Sequence, residues 1–305
     1  MSVNQQNPSI LRSTKASRHG PAQPGPAHPQ RLESRAGALK VAEIVLEPGL
    51  SLCDAIARPL ASLGIRSAGV VLSGVTLGPM QFVMPSHSQA PDHVAYYSET
   101  YRPQGEVTLD LATATFGFRD GAPFMHCHAL WRDSEGRQCG GHILPLDSSI
   151  ARRSTVLVFG TPDADMLSRA DAETNFTLFG PEPADGGGSG GLIVARIRPD
   201  EDLVTGIEAI CARHGATHAT IRSGVGSIVG ALFEDGTVVS EIPTELVVVD
   251  GRVSPDEGGQ PRCDLEIALI DAAGNIHRGK PVRGQNPVLI CCELFIDTES
   301  PAAVS

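Results

Sequence analysis

The stretch FMHCHALWRDSEGRQCGGHILP, residues 124–145, predicts a β-hairpin whose turn determines which side chains share a face. The segment FMHCHALW has the composition of a strand, and CGGHILP can form the returning strand. A three-residue loop with Gly136 in the left-handed conformation would place Asp133 opposite Arg137. This turn fixes the register of the hairpin, because a loop one residue shorter would move every returning side chain to the other face.

Three histidines of this hairpin fall on one face in that register. Counting back from the turn, His128 lies opposite His142, with Cβ atoms roughly 4.5–5.5 Å apart. His126 shares the face of His128 because strand side chains alternate, and it lies diagonal to His142. Gly140 and Gly141 are expected to leave room around the three imidazoles.

A convergence of three neutral imidazoles predicts a metal centre with one open position. This arrangement is typical of catalytic zinc, Zn²⁺, although another divalent transition metal such as iron, nickel, copper or manganese also accepts imidazole ligands. Cys127 points to the other strand face and is a poor fourth ligand. The competing interpretation is a surface hairpin with three unliganded histidines.

A second hairpin, CDLEIALIDAAGNIHRGK at residues 263–280, repeats the first with different chemistry. Its turn predicts that Glu266 faces Lys280, in the places of His128 and His142. Asp264 takes the place of His126 in the same comparison. Opposite charges across a strand pair attract each other. We therefore expect an ion pair in the second hairpin, where the first would hold a metal.

The chain divides into two similar halves at the Gly-rich segment 183–191, which is a linker by composition. Each half begins with a strand, continues into an amphipathic helix and then a strand ending in Ser-Gly-Val. Further short β segments follow in each half. The pattern predicts an α+β fold with two tandem domains, at residues 38–182 and 192–298, each a mostly antiparallel sheet packed with one main helix.

Charge is distributed unevenly along the chain. The formal net charge is −11, yet residues 1–40 carry six basic side chains against the single acid Glu33. Residues 1–37, rich in Pro and Gln, are predicted to be a disordered basic tail, and residues 299–305 a short second tail. An acidic body disfavours contact with nucleic acid, so any such contact would have to come from the basic tail.

The cysteine count and the hydropathy predict a cytoplasmic protein that does not contact a membrane. Seven cysteines are an odd number without the spacing of a disulfide framework, which indicates reduced thiols. No apolar run is as long as a transmembrane helix, and the first residues do not resemble a secretory signal.

With these residues in place, both halves resemble the plant-and-prokaryote conserved domain (PPC, also called DUF296). In the first half the resemblance rests on PGLSLCDAIARPLASLGIRSAGVVLSG, on the hairpin of residues 124–145 and on DAETNFTLFGP. In the second half it rests on RPDEDLVTGIEAICARHGATHATIRSGVGSI and on the altered hairpin. It covers residues 38–182 and 192–297.

The resemblance implies a compact α+β domain, assembly as a homo-oligomer that is usually a trimer, and metal bound at His126, His128 and His142. Plant members pair the domain with an AT-hook that binds the DNA minor groove. This chain has no Arg-Gly-Arg-Pro core of that kind.

The polar, aromatic insertion at residues 84–105 provides further candidates for the site. We expect it to act as a lid that brings Tyr97, Glu99 and Arg102 to a metal-bound ligand as catalytic residues. Glu99 is the best acid or base candidate, and Arg102 would suit a carboxylate substrate. The alternative is an ordinary surface loop or a contact between subunits.

Three functions are compatible with these features. The leading hypothesis is a metalloprotein that catalyses hydrolysis or a lyase step on a small carboxylated molecule. The second is a DNA-associated regulator that uses its basic tail. The third is an oligomer that the metal stabilises without any chemistry.

Overall fold

Two β-sheets, one from each half of the chain, pack face to face in the computed structural model, which describes residues 18–184 and 190–298. The predicted α+β class is confirmed, since each half combines a mostly antiparallel sheet with one main helix. No helix in these ranges is long and apolar enough to cross a membrane.

The first half contains one helix and most of the short strands. Its elements are β2 (Lys40–Leu46), α1 (Leu52–Ser62), β3 (Ser67–Val71), β4 (Thr76–Leu77), β5 (Phe82–Val83), β6 (Pro85–Ser86), β7 (Tyr96–Tyr97), β8 (Val107–Arg119), β9 (Ala122–Arg132), β10 (Gln138–Ile143), β11 (Ser154–Thr161), β12 (Ala164–Ala170) and β13 (Thr177–Pro183). The main sheet has the order β2-β11-β3-β8-β9-β10-β5, and β12 and β13 extend it beside the end of β8.

The second half repeats this architecture. Its elements are β14 (Leu192–Ile197), α2 (Leu203–Arg213), β15 (Ala219–Ile228), β16 (Ala231–Leu232), β17 (Val238–Val239), β18 (Thr244–Pro255), β19 (Pro261–Asp271), β20 (Ile276–Gly279) and β21 (Val288–Asp297). The order β14-β21-β15-β18-β19-β20 corresponds strand for strand to β2-β11-β3-β8-β9-β10 of the first sheet. The two halves therefore share one topology.

Each helix is capped by its own sequence and buries one face on its sheet. The Ser51 hydroxyl accepts a hydrogen bond from the backbone N–H of Asp54 at the start of α1, and Asp202 accepts one from Thr205 at the start of α2. Gly215, at a φ of +68°, follows the end of α2, where a left-handed residue is favoured.

The N-terminal segment differs from the prediction of a disordered tail over residues 1–37. Residues 18–37 are ordered, and β1 (Leu32–Gly37) pairs antiparallel with β14 as the edge strand of the second sheet. Glu33 on this strand accepts hydrogen bonds from Arg196 and Arg198, whose side chains are buried. An ion pair between buried groups holds the segment in place, so the basic composition alone was misleading. Residues 1–17 lie outside the described residues, as do 185–189 of the predicted linker and the tail 299–305.

The sheets approach closely where small residues face each other. A Cβ atom added to Gly69 on β3 would lie 2.6 Å from Cβ of Ser223 and 2.8 Å from Cγ of Phe295. The hydroxyl of Thr113 donates across the interface to the carbonyl of Gly224 at 3.1 Å. The face of the first sheet that carries the histidines is therefore covered by the second half of the chain.

Candidate metal centre

The hairpin of β9 and β10 has the predicted register. His128 and His142 are direct cross-strand partners, and the turn begins with a hydrogen bond from the N–H of Asp133 to the carbonyl of Arg137 at 2.9 Å. A carboxylate oxygen of Asp133 also accepts from two backbone N–H groups of the turn, which stabilises the loop. Gly136 has a φ of +79°, the left-handed conformation that the three-residue loop requires.

The two glycines before His142 serve a different purpose from the one expected. A Cβ atom on Gly141 would lie 2.6 Å from the carbonyl oxygen of Val83, on the strand that pairs with β10. A Cβ atom on Gly140 would lie 2.6 Å from Cγ1 of Ile270 in the second half. They make room for a neighbouring strand and for the other half of the chain, and not for the imidazoles.

The three histidines converge on one point between the sheets. The Nε2 atoms of His126 and His128 are 2.9 Å apart. The ring of His142 has its centroid 4.9 Å from that of His126 and 5.3 Å from that of His128. One nitrogen from each residue lies within 4.8 Å of the other two. Within the described ranges, these residues form the one group of three or more His, Cys, Asp or Glu side chains close enough to share an ion.

Hydrogen bonds to the far side of two rings determine which nitrogens have lone pairs. Nδ1 of His126 lies 3.0 Å from Oε1 of Glu293, and Nδ1 of His128 lies 2.9 Å from the carbonyl oxygen of Leu246. Both partners only accept, so we assign the ring proton to Nδ1 in each neutral imidazole. Their Nε2 lone pairs then point at each other across 2.9 Å, an arrangement that repels unless a cation lies between them.

These observations fit a divalent metal ion. Nδ1 of His142 is buried and has no hydrogen-bond partner among the described residues, so it remains available as a ligand atom. A carboxylate or carbonyl that accepts from the second ring nitrogen is the usual support of a metal-binding histidine. His126, His128 and His142 would hold the ion and leave a fourth position open.

Burial keeps two of the imidazoles neutral, which metal binding requires. Burial lowers the pKa of His128 well below 6.5, and the nearby His126 lowers it further. The pKa of His142 is lowered in the same direction by burial and then by His126. In neutral solution both rings are therefore unprotonated.

Two carboxylates from the second half face the cluster. Oε2 of Glu245, on β18, lies 3.3 Å from Nε2 of His128. Glu293, on β21, supports His126 through Oε1. The Oε2 atoms of both glutamates are buried without a hydrogen-bond partner among the described residues. Burial raises the pKa of Glu245 well above its usual range.

Two cavities are lined in part by residues of the cluster. The smaller, of about 50 Å³, is lined by His126, His128 and Glu245 together with apolar residues of both halves. The larger, of about 280 Å³, is lined by His126 and His142, by Glu293, and by Arg119 at the end of β8.

The insertion at residues 84–105 brings one of its three predicted residues to the site. Tyr97, on β7, has its ring centroid 5.2 Å from that of His142 and lines both cavities. Glu99 and Arg102 are exposed and line neither cavity. The structure therefore does not bring Glu99, expected as an acid or base, or Arg102, expected as an anchor, into the lining of these cavities.

The second hairpin has the predicted register but a different pairing of charges. Ile267 pairs with Gly279, which is the register that would place Glu266 opposite Lys280. The ion pairs run diagonally: Lys280 lies 2.7 Å from Asp264, and Arg278 lies 2.6 Å from Glu266. Charged side chains thus occupy the places of the histidines, with each cation displaced toward a diagonal partner.

The residues that the sequence analysis missed belong to strands it interpreted as apolar. Glu293 stands alone among apolar residues in PVLICCELFI, and Glu245 begins the run ELVVVD. A single acidic residue in a fully buried strand is costly unless it has a partner, and this was the available signal. Arg119, between a strand and a turn, carried no such signal.

One family model is similar to the second half of the chain. A family model, the Plants and Prokaryotes Conserved (PCC) domain, matches residues 184–299. The match falls on the half with the altered hairpin and not on the half with the three histidines. No curated protein matches the chain.

Several solved structures are similar to about half of the chain. A plant- and prokaryote-conserved protein from Pyrococcus horikoshii is 17% identical, with 47% of this chain and 94% of that chain covered and a TM-score of 0.38. A metal-containing protein from Archaeoglobus fulgidus is 20% identical, with 46% and 92% covered and a TM-score of 0.36. A candidate DNA-binding protein from Ralstonia eutropha JMP134 is 18% identical, with 45% and 89% covered and a TM-score of 0.35.

Proposed function

We propose that the half of the chain matched by the Plants and Prokaryotes Conserved domain model packs against a metal centre in the other half, which binds one divalent transition-metal ion. The ligands are His126, His128 and His142, and zinc is the preferred ion. The observation that carries this proposal is the pair of Nε2 atoms at 2.9 Å, each on a ring whose Nδ1 faces an acceptor. The function is metal-dependent chemistry on a small molecule, with hydrolysis or a lyase step as the reaction class.

A divalent ion at this position would supply Lewis-acid activation of a bound ligand. The side chains of the protein would do the rest. Glu245 presents a buried carboxyl oxygen beside His128, from which a proton can pass to or from a group held by the three histidines. Tyr97 lies against His142 and lines both cavities, so it would help to orient the ligand.

This proposal gives the second half a direct part in the site. The sequence analysis placed no residue of the second half at the metal site. In the fold, Glu245 and Glu293 both come from it, and the carbonyl of Leu246 orients His128. Two halves of one chain would then build a single centre, with ligands from one and their support from the other.

The metal content of the purified full-length protein tests the proposal. We expect about one ion per chain by elemental analysis, and tetrahedral absorption bands after exchange with Co²⁺. The variant with alanine at His126, His128 and His142 should lose the ion and keep its fold by circular dichroism. His218→Ala, which changes an exposed histidine of the second half, should retain the ion. A triple variant that still binds one ion, or a wild type that binds none after reloading, contradicts the proposal.

Turnover separates this proposal from a purely structural metal. If removal of the ion dissociates an oligomer while no small-molecule reaction depends on it, the metal-stabilised oligomer is the better description. The DNA-associated alternative loses part of its basis, because Arg31 of the basic segment pairs with Glu173 at 2.8 Å and is not available to phosphates. The trimeric assembly remains a prediction, which sedimentation of the intact protein would test.

A further inference from the structure

Arg119 is a cation at the wall of the larger cavity. The cavity of about 280 Å³ extends from His126 and His142 to Arg119 at the end of β8. Most of its remaining wall is apolar or aromatic, with Leu144, Phe176 and Phe179 among the lining residues. A mainly apolar pocket with a few polar groups at fixed positions is the usual form of a small-molecule site.

Two contacts hold the guanidinium of Arg119 in place, but neither of them neutralises its charge. Its Nε donates to the hydroxyl of Ser168 at 3.1 Å, and its Cζ lies 3.6 Å from the ring centroid of Phe124. No carboxylate of the described residues forms an ion pair with it. The buried Arg196 and Arg198 differ in this respect, since each lies within ion-pair distance of Glu33 and Asp171. Arg119 therefore keeps donors free for an anion.

The distance from this cation to the histidines suits a short ligand. Phe124, under the guanidinium, precedes His126 by two residues on the same face of β9, which corresponds to roughly 7 Å along a strand. A molecule with an acidic group at one end and a reactive group a few atoms away would span this gap. Its body would rest on the apolar wall.

We propose that Arg119 anchors the carboxylate of a small, mainly apolar monocarboxylate whose other end reaches the metal ligands. This inference rests on the proposed function, because it assigns the substrate class of the same site. A planar guanidinium matches a carboxylate with two parallel hydrogen bonds. The cavity has only one unpaired arginine, and Glu293 also lines it, so a monoanion fits better than a doubly charged phosphate ester. Arg119 thus takes the role that the sequence analysis gave to Arg102.

Binding of a matched pair of probes to the full-length protein tests this anchor. Benzoate carries the carboxylate, and benzamide has the same shape without the charge. We expect benzoate to bind about 10- to 100-fold more tightly by calorimetry, the usual effect of a hydrogen-bonded charge. This comparison needs no substitution, so it stands even where a variant folds poorly.

Variants identify the residue responsible. Arg119→Gln should weaken benzoate to the level of benzamide and leave benzamide unchanged, while Arg119→Lys should recover part of the difference. Arg152→Gln, which changes an exposed arginine paired with Glu106, should bind benzoate as the wild type does. Equal affinity for the two probes, absence of benzoate binding, or full benzoate affinity in Arg119→Gln would overturn the anchor. Phenyl phosphate bound more tightly than benzoate would overturn the choice of a monocarboxylate.

Measurements with and without metal keep the two proposals distinct. One outcome is wild-type protein that takes up no metal on reloading but binds benzoate in a way that depends on Arg119. That outcome would refute the metal centre and support the anchor. Stoichiometric metal at the three histidines, together with benzoate binding indifferent to Arg119, would refute the anchor and support the metal centre.

Discussion

Oε1 of Glu293 lies 3.0 Å from Nδ1 of His126, although 167 residues separate them in the sequence. The contact crosses the interface between the two sheets and fixes the orientation of a predicted metal ligand. The candidate centre therefore draws on both halves of the chain. The two halves share one topology, but the three clustered histidines all lie in the first.

Replacing Glu293 should therefore weaken metal binding without touching a ligand. We expect Glu293→Ala to lower the affinity for Zn²⁺ by about 10- to 100-fold, because His126 loses the acceptor that orients its ring. Competition with a chromophoric chelator measures this change. Glu257→Ala, at an exposed position of the second half, should have no effect. An unchanged affinity in Glu293→Ala would show that the carboxylate does not support the ligand.

The length of the hairpin turn should decide whether metal binds at all. Deleting Ser134 shortens the loop by one residue and turns His142 to the opposite face of β10. The deletion variant is expected to contain no stoichiometric metal by elemental analysis. Ser134→Ala keeps the length and should retain the ion. A deletion variant that retains full metal content would mean that the register is not set by the turn.

The close contact of the sheets predicts a stability effect at Gly69. A methyl group there would overlap Ser223 and Phe295, so Gly69→Ala should lower the free energy of unfolding by about 1–3 kcal/mol. Urea denaturation measures the loss. Gly258→Ala, in a turn where only the flexible side chain of Asp256 lies nearby, should be close to neutral. Equal stability of the two variants would argue against tight packing at this interface.

Acid should weaken the network that anchors the N-terminal segment. Burial by itself would raise the pKa of Asp171, but Arg198, 2.8 Å away, together with Arg196 and the backbone N–H of Thr174, outweighs burial and holds that pKa below its usual value. A carboxyl whose pKa is lower in the folded protein than in the unfolded chain stabilises the fold at any pH above the unfolded-chain pKa. This stabilisation disappears as the pH falls through the folded-protein pKa. Asp171→Asn should cost about 1.5–3 kcal/mol at neutral pH.

The difference between the two proteins should shrink as the pH falls below about 4, because the carboxyl of the unfolded wild-type chain then takes up a proton, and the folded protein does so only at lower pH. Urea titrations of both proteins between pH 3 and 7 would measure it. A constant difference over that range would mean that the charge of Asp171 is not what stabilises the segment.

Local chemistry allowed much of this protein to be predicted from its sequence. The turn residues Asp133 and Gly136 fix the register that places His128 opposite His142, since both act within five residues of chain. The helix caps and the alternation of strands are equally local, so the α+β class and the similarity of the two halves could be recognised.

Only the tertiary structure decided what surrounds the histidines. The covering of one sheet face by the other depends on contacts such as Gly69 with Phe295, between residues far apart in the chain, which no local pattern encodes. For this reason the sequence proposed Glu99 and Arg102 from a nearby loop, whereas the fold places Glu245, Glu293 and Arg119 around the site. The sequence determined the hairpin and the convergence of its three histidines; long-range packing decided which charges face them.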